Sequence, residues 1–85
     1  MSRPLHEIAS EINAECNGKN WYVYAEAYVT PMMTLETMSD SYYYDSAETI
    51  VSYALANLSY WRGDKARAIK KELNDLLKQH RKTSA

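Results

Sequence analysis

Side chains able to carry covalent or acid–base chemistry are few in this 85-residue chain, and their neighbours do not suit them to it. Cys16 is the only thiol. It falls at the C-terminal end of an amphipathic segment, where the helix macrodipole disfavours a thiolate, so its position predicts a buried structural cysteine. His6-Glu7 begins like the zinc-binding helix of a metalloprotease, but that chemistry needs a second histidine where Ser10 stands. One cysteine and two isolated histidines predict neither an internal disulfide nor a structural zinc site. Two glycines are too few for a phosphate-cradling loop, and no pair of carboxylates is marked as sharing a pocket. Arg62-Gly63-Asp64 spells an integrin-type tripeptide, yet with no secretory signal pattern it reads as a helix break. The sequence thus predicts a protein that is not an enzyme and that takes no metal or cofactor.

What remains is the chemistry of binding. Tyr42, Tyr43 and Tyr44 lie between Asp40 and Asp45, with Glu36 and Glu48 just outside. Tyrosine offers a large amphipathic contact area at low side-chain entropy cost, which enriches it at interfaces. Aromatic residues also stack on nucleic acid bases, but there they sit among lysines and arginines, whereas these carboxylates repel phosphate. Glu36, Asp40, Tyr42, Tyr43, Tyr44, Asp45 and Glu48 are therefore predicted to bind a protein partner with a basic surface. The structural alternative is that alternate tyrosines pack under the following helix, with a hydroxyl at the surface.

Charge is divided along the chain. Up to Tyr60 there are eight acidic residues against Arg3 and Lys19, a net −6; from Trp61 onward eight basic residues face Asp64, Glu72 and Asp75, a net +5. Glu7, Glu11 and Glu15 recur at steps of four and form a secondary acidic strip on the first helix. Like charges at this spacing oppose helix formation by a few tenths of a kcal/mol per pair, so the strip is expected either to dock on a basic protein, mimicking the phosphate spacing of nucleic acid, or to be solvated or neutralised by the chain's own last helix. Lys65, Arg67, Lys70, Lys71, Lys78 and Arg81 form a basic helical face, which is either solvated or an alternative surface for nucleic acid. A third reading is a homodimer in which the acidic helix of one chain meets the basic helix of its mate.

These side chains need elements to position them. Leu5, Ile8, Ala9, Ile12 and Cys16 form a one-sided helical stripe, which predicts a first helix over 3–17 that starts near Pro4 and stops at Asn17-Gly18. Residues 21–29 are rich in aromatic and β-branched types and predict a strand, with Trp21, Val23, Ala25, Ala27 and Val29 on the buried face and Tyr22, Tyr24, Glu26 and Tyr28 on the other. Its partner is expected at 33–39, although Thr30-Pro31 equally suits the start of a short helix, and a third strand is expected at 42–44. Asp45-Ser46-Ala47-Glu48 fits a capping box and opens a helix reaching Trp61. After Gly63 and Asp64 a last helix carries Ala66, Ile69, Leu73, Leu76 and Leu77 to about His80, with 81–85 expected to fray.

The predicted fold is one α+β domain over 1–85, ordered α-β-β-(β)-α-α, with a small antiparallel sheet covered on one face by helices. No apolar stretch approaches the roughly 18 residues that span a bilayer, so a soluble cytoplasmic protein is expected. In its size and its tyrosine and carboxylate content the chain resembles the small accessory and inhibitor proteins of phages and mobile elements. That resemblance implies a target such as a nucleic-acid-processing protein.

Overall fold

The structure is a computed structural model that describes residues 3–84, with side chains up to Lys82. Among the described residues the order is α1 (Leu5–Cys16), α2 (Tyr22–Met32), β1 (Ser41–Tyr42), β2 (Asp45–Ser46), α3 (Ala47–Ala56) and α4 (Asp64–Ser84). The class is α+β with a small antiparallel sheet, as the sequence predicts, but of the three expected strands only the one at 42–44 overlaps it. Ser41 pairs with Ser46 and Tyr42 with Asp45, and these two short strands form the whole sheet among the described residues.

The stripe of α1 is buried as expected, from Leu5 through Ile8, Ala9 and Ile12 to Cys16. Burial pushes the Cys16 thiol up to about 11, which leaves it protonated and unreactive at neutral pH. Pro4 precedes the helix in an extended conformation and provides no side-chain cap. The free donors of the first turn are met from a distant loop: Leu5 N–H donates to the Glu36 carbonyl at 2.9 Å and His6 N–H to that of Leu35 at 2.8 Å.

Residues 21–29 correct the expectation of a strand. Trp21 is the N-cap of α2 and the rest lie within it, where the buried side chains Tyr22, Ala25, Val29 and Met32 follow offsets of 3, 7 and 10, a helical and not an alternating pattern. Tyr22 is 2% exposed and donates its hydroxyl to Asn13 Oδ1 at 3.0 Å, while Val23, assigned to the buried face, is 61% exposed. The reason is backbone accounting. A helix satisfies its own N–H and C=O groups, whereas a strand here has no partner, since 33–39 forms turns and no strand. Local β-propensity yields to that requirement. Thr30-Pro31 sits in the last turn of α2 and starts no new helix, and Thr34 Oγ1 donates back to the Pro31 carbonyl at 2.8 Å.

The later elements shift by smaller amounts. The strand expected at 42–44 is the hairpin itself, with Tyr43 and Tyr44 forming its turn. The N-cap of α3 is Ser46 and not Asp45: Ser46 Oγ accepts from Thr49 N–H at 3.2 Å, so the glutamate of the expected box falls one position too early to reach back. Helix α3 ends at Ala56, yet Leu58 and Trp61 remain buried through the turns that follow. Gly63, with φ of 113°, makes the break before α4, and residues 81–84 continue that helix where fraying was expected; Ala85 lies outside the described residues. Ala66, Ile69, Leu73 and Leu77 of α4 close the core, and Leu76 is only half-buried.

Ala27 is exposed in the interior of α2 and so isolates its backbone conformation. Ala27→Pro is expected to lower unfolding free energy by about 3 kcal/mol or more and Ala27→Gly by about 1 kcal/mol. Urea titrations of the two variants check this.

Candidate functional site

The tyrosine hairpin is built on Asp40. Its Oδ2 accepts from Glu36 N–H at 2.8 Å and Thr37 N–H at 3.1 Å, closing the loop 36–40 on itself. Its carbonyl accepts from Ala47 N–H at 2.9 Å, which joins the base of the hairpin to the start of α3. The two donated N–H groups hold the Asp40 carboxyl below its ordinary value of 3.8. Asp40 therefore positions the site, a role its sequence context did not reveal.

Above that base, Tyr42 is half-buried against the core and its ring meets the Tyr43 ring edge-on, with centroids 4.6 Å apart. Tyr43 is 83% exposed and Tyr44 is 104% exposed. Tyr43 has φ of 55°, a left-handed conformation that is strained for a residue of its size. Glu36 and Asp45 are exposed and have no cationic partner among the described residues. Glu48 differs: Arg81 Nε donates to its Oε2 at 2.7 Å, and His80 Nε2 lies 3.8 Å from Oε1. The predicted set is thus brought to one side of the fold, with Tyr43, Tyr44, Asp45 and Glu36 in solvent, Tyr42 as a buttress, and Glu48 held by α4.

The acidic strip of α1 is largely neutralised within the chain. Arg3 Nη2 binds Glu72 Oε1 at 2.7 Å and Glu11 Oε1 at 3.1 Å, and Lys65 Nζ lies 3.8 Å from Glu11 and 3.5 Å from Glu15. Arg3 and Lys65 lower the pKa of Glu11, the Arg3 hydrogen bond having the larger effect. Each such partly exposed pair contributes under about 1 kcal/mol, so its importance lies in removing repulsion along the strip. Glu7 is exposed and has no ion pair among the described residues.

Most cations of α4 are engaged as well. Lys65 and Arg81 are used as above, Arg67 lies 3.3 Å from Asp64, Lys71 lies 2.9 Å from Asp75, and Lys70 Nζ donates to the Trp61 carbonyl at 2.6 Å. Lys78 alone of the six predicted cations has neither an ion pair nor a side-chain hydrogen bond among the described residues. The charge complementarity invoked for a homodimer is met in part within one chain, where Lys65 of α4 pairs with Glu11 and Glu15 of α1.

A second aromatic cluster escaped the sequence reading. Trp21 and Tyr60 face one another with centroids 6.4 Å apart and a tilt of 34°, and Tyr28 stacks on Tyr53 at 5.3 Å. A helical reading of 21–32 would have placed Trp21, Tyr24 and Tyr28 on one face at steps of 3 and 4.

Because the folded-state pKa of Asp40 is depressed, its carboxylate adds stability above the ordinary value of 3.8 and loses that contribution as pH falls through the lower folded value. Asp40→Asn is expected to melt below the parent at neutral pH, with the gap narrowing under strongly acidic conditions. Thermal melts across that pH range check it.

Among the described residues no helix is long and apolar enough to cross a membrane, and no group of three or more His, Cys, Asp or Glu is placed to hold a metal ion. Comparison of the chain with family models, with curated proteins and with solved structures gives no match.

Proposed function

We propose that this chain is a non-enzymatic, cytoplasmic protein-binding module whose hairpin docks on a basic surface of its partner, as an accessory or inhibitor of a nucleic-acid-processing protein would. The observation that carries this reading is the tip itself. Two tyrosines stand almost wholly in solvent, although burying either would be favourable, and one adopts a backbone conformation costing about 1–2 kcal/mol for an L-residue. A two-residue hairpin loop requires a positive φ, which glycine or asparagine would supply with little strain, so a tyrosine at this position supports a contact role for its ring.

Tyr43 and Tyr44 would fill pockets on the partner, and Glu36 and Asp45 would steer the approach and pair with its cations. Asp40 supports the surface from beneath, so its replacement tests the loop and not the contact.

Tyr43→Gly removes the ring and suits the positive φ. Relief of strain offsets the lost Tyr42 contact and the added chain entropy, so stability should stay within about 1 kcal/mol of the parent. Tyr43→Gly with Tyr44→Ser, and separately Glu36→Lys with Asp45→Lys, should release a protein retained by the immobilised parent from host extract, while Lys78→Glu retains it. Equal retention by all four forms rejects the assignment.

A further inference from the structure

At the opposite end of α3 from the hairpin, the turn between α1 and α2 meets the turn leading into α4. A recess of about 360 Å³ opens there, lined by Glu15, Lys19, Trp21, Tyr60, Trp61 and Arg62. A second of about 260 Å³ adjoins it, sharing Trp61 and Arg62 and adding Arg67 and Lys70. Four cations converge on the two recesses. The acids nearby are Glu15 and Asp64, each already within 3.5 Å of a cation, whereas Lys19 and Arg62 have no acidic partner among the described residues. Arg62 stands close enough to Lys70 that its charge, after burial, helps to depress the ammonium pKa. The four cations outnumber the two acids, and such a surplus of like charge is unfavourable alone and becomes favourable with a polyanion.

Aromatic faces lie among these cations. Trp21 is half-buried and held by the core, whereas Tyr60 is 71% exposed. The aromatic face continues along α2 through Tyr24 to the Tyr28–Tyr53 stack, about 10 Å from Trp21 by helical rise. Acidic neighbours made the hairpin tyrosines unsuitable for stacking on bases; at this end Lys19 and Arg62 outnumber Glu15 in the same lining.

We propose that this face binds single-stranded nucleic acid, with a base against Trp21 and Tyr60 and the backbone phosphates passing Lys19 and Arg62 toward Arg67 and Lys70. A duplex keeps its base faces stacked on one another and has none to offer. A free nucleotide needs a site that covers most of its surface, which a recess walled by so exposed a tyrosine does not provide. A single strand instead sums several shallow contacts, each stacked base and each phosphate adding its share. This assignment does not depend on the hairpin, and it shares only Arg67 and Lys70 with a phosphate surface along α4.

Fluorescence anisotropy of labelled oligothymidylate, oligouridylate and a duplex of equal length, over a series of salt concentrations, tests the proposal. Single strands should bind with an affinity that falls steeply as salt rises. Tyr60→Ala should weaken binding about tenfold. Lys19→Gln with Arg62→Gln should reduce the slope of log affinity against log salt by about 1.4. All three side chains are exposed, and circular dichroism verifies that the variants fold. Tyr43→Gly with Tyr44→Ser should bind like the parent, which separates this site from the hairpin. Three results would overturn the proposal: no single-strand binding at low salt, a duplex bound as tightly as a single strand, or a loss produced by Lys71→Gln with Lys78→Gln but not by the recess variants.

Discussion

Helix α1 lacks a side chain to cap its first turn, and the way its free N–H groups are satisfied governs the arrangement around it. The carbonyls of Leu35 and Glu36 accept from His6 and Leu5, so the segment after α2 must lie against the N-terminus of α1. Asp40 then gathers the Glu36 and Thr37 N–H groups, and its own carbonyl receives Ala47. Through this relay the end of α2, the start of α1, the hairpin and the first turn of α3 become one unit. Leu35 and Met38 are buried in the same segment and anchor it by apolar contact. The backbone bonds orient the loop, and the two side chains keep it in place.

Electrostatics is arranged around that frame to cancel locally and remain unbalanced at the ends. Arg3 and Lys65 meet the glutamates of α1, and Arg81 meets Glu48, so the chain-long division of charge is largely resolved where α4 crosses the other helices. The exceptions are informative. Among the described residues Glu36 and Asp45 beside the hairpin stay without cations, and Lys19 and Arg62 near Trp21 stay without acids. These two groups, unlike the isolated Glu7 and Lys78, accompany exposed aromatic rings.

How much of this was legible in the sequence depended on whether one signal dominated locally. The stripe of α1 is one-sided, so its five buried residues could be read directly. Residues 21–32 are apolar nearly all round, and aromatic and β-branched types favoured a strand. The distinguishing residue, Met32, lies beyond Pro31, which resembles a stop, and α2 does end one residue after it. The tyrosines of the hairpin stood out because three lie between two aspartates, whereas the backbone role of Asp40 depends on turn geometry that no spacing reveals. The pairing of Glu48 with Arg81 links residues 33 apart and belongs to tertiary packing alone. Misreading α2 as a strand also hid the Trp21 and Tyr60 cluster, since alternation sends Trp21 and Tyr24 to opposite faces.

Strand β2 ends at Ser46, and Ser46 is also the residue that caps α3, so no slack chain separates the hairpin from the helix. The tyrosine tip is thereby mounted on a rigid lever whose long arm runs through the hydrophobic core. A surface held in this way enters an encounter already ordered, and little torsional freedom is left to freeze. A patch of modest area can then achieve useful affinity, and any ligand that tilts the tip exerts torque on α3 and on the helices packed against it.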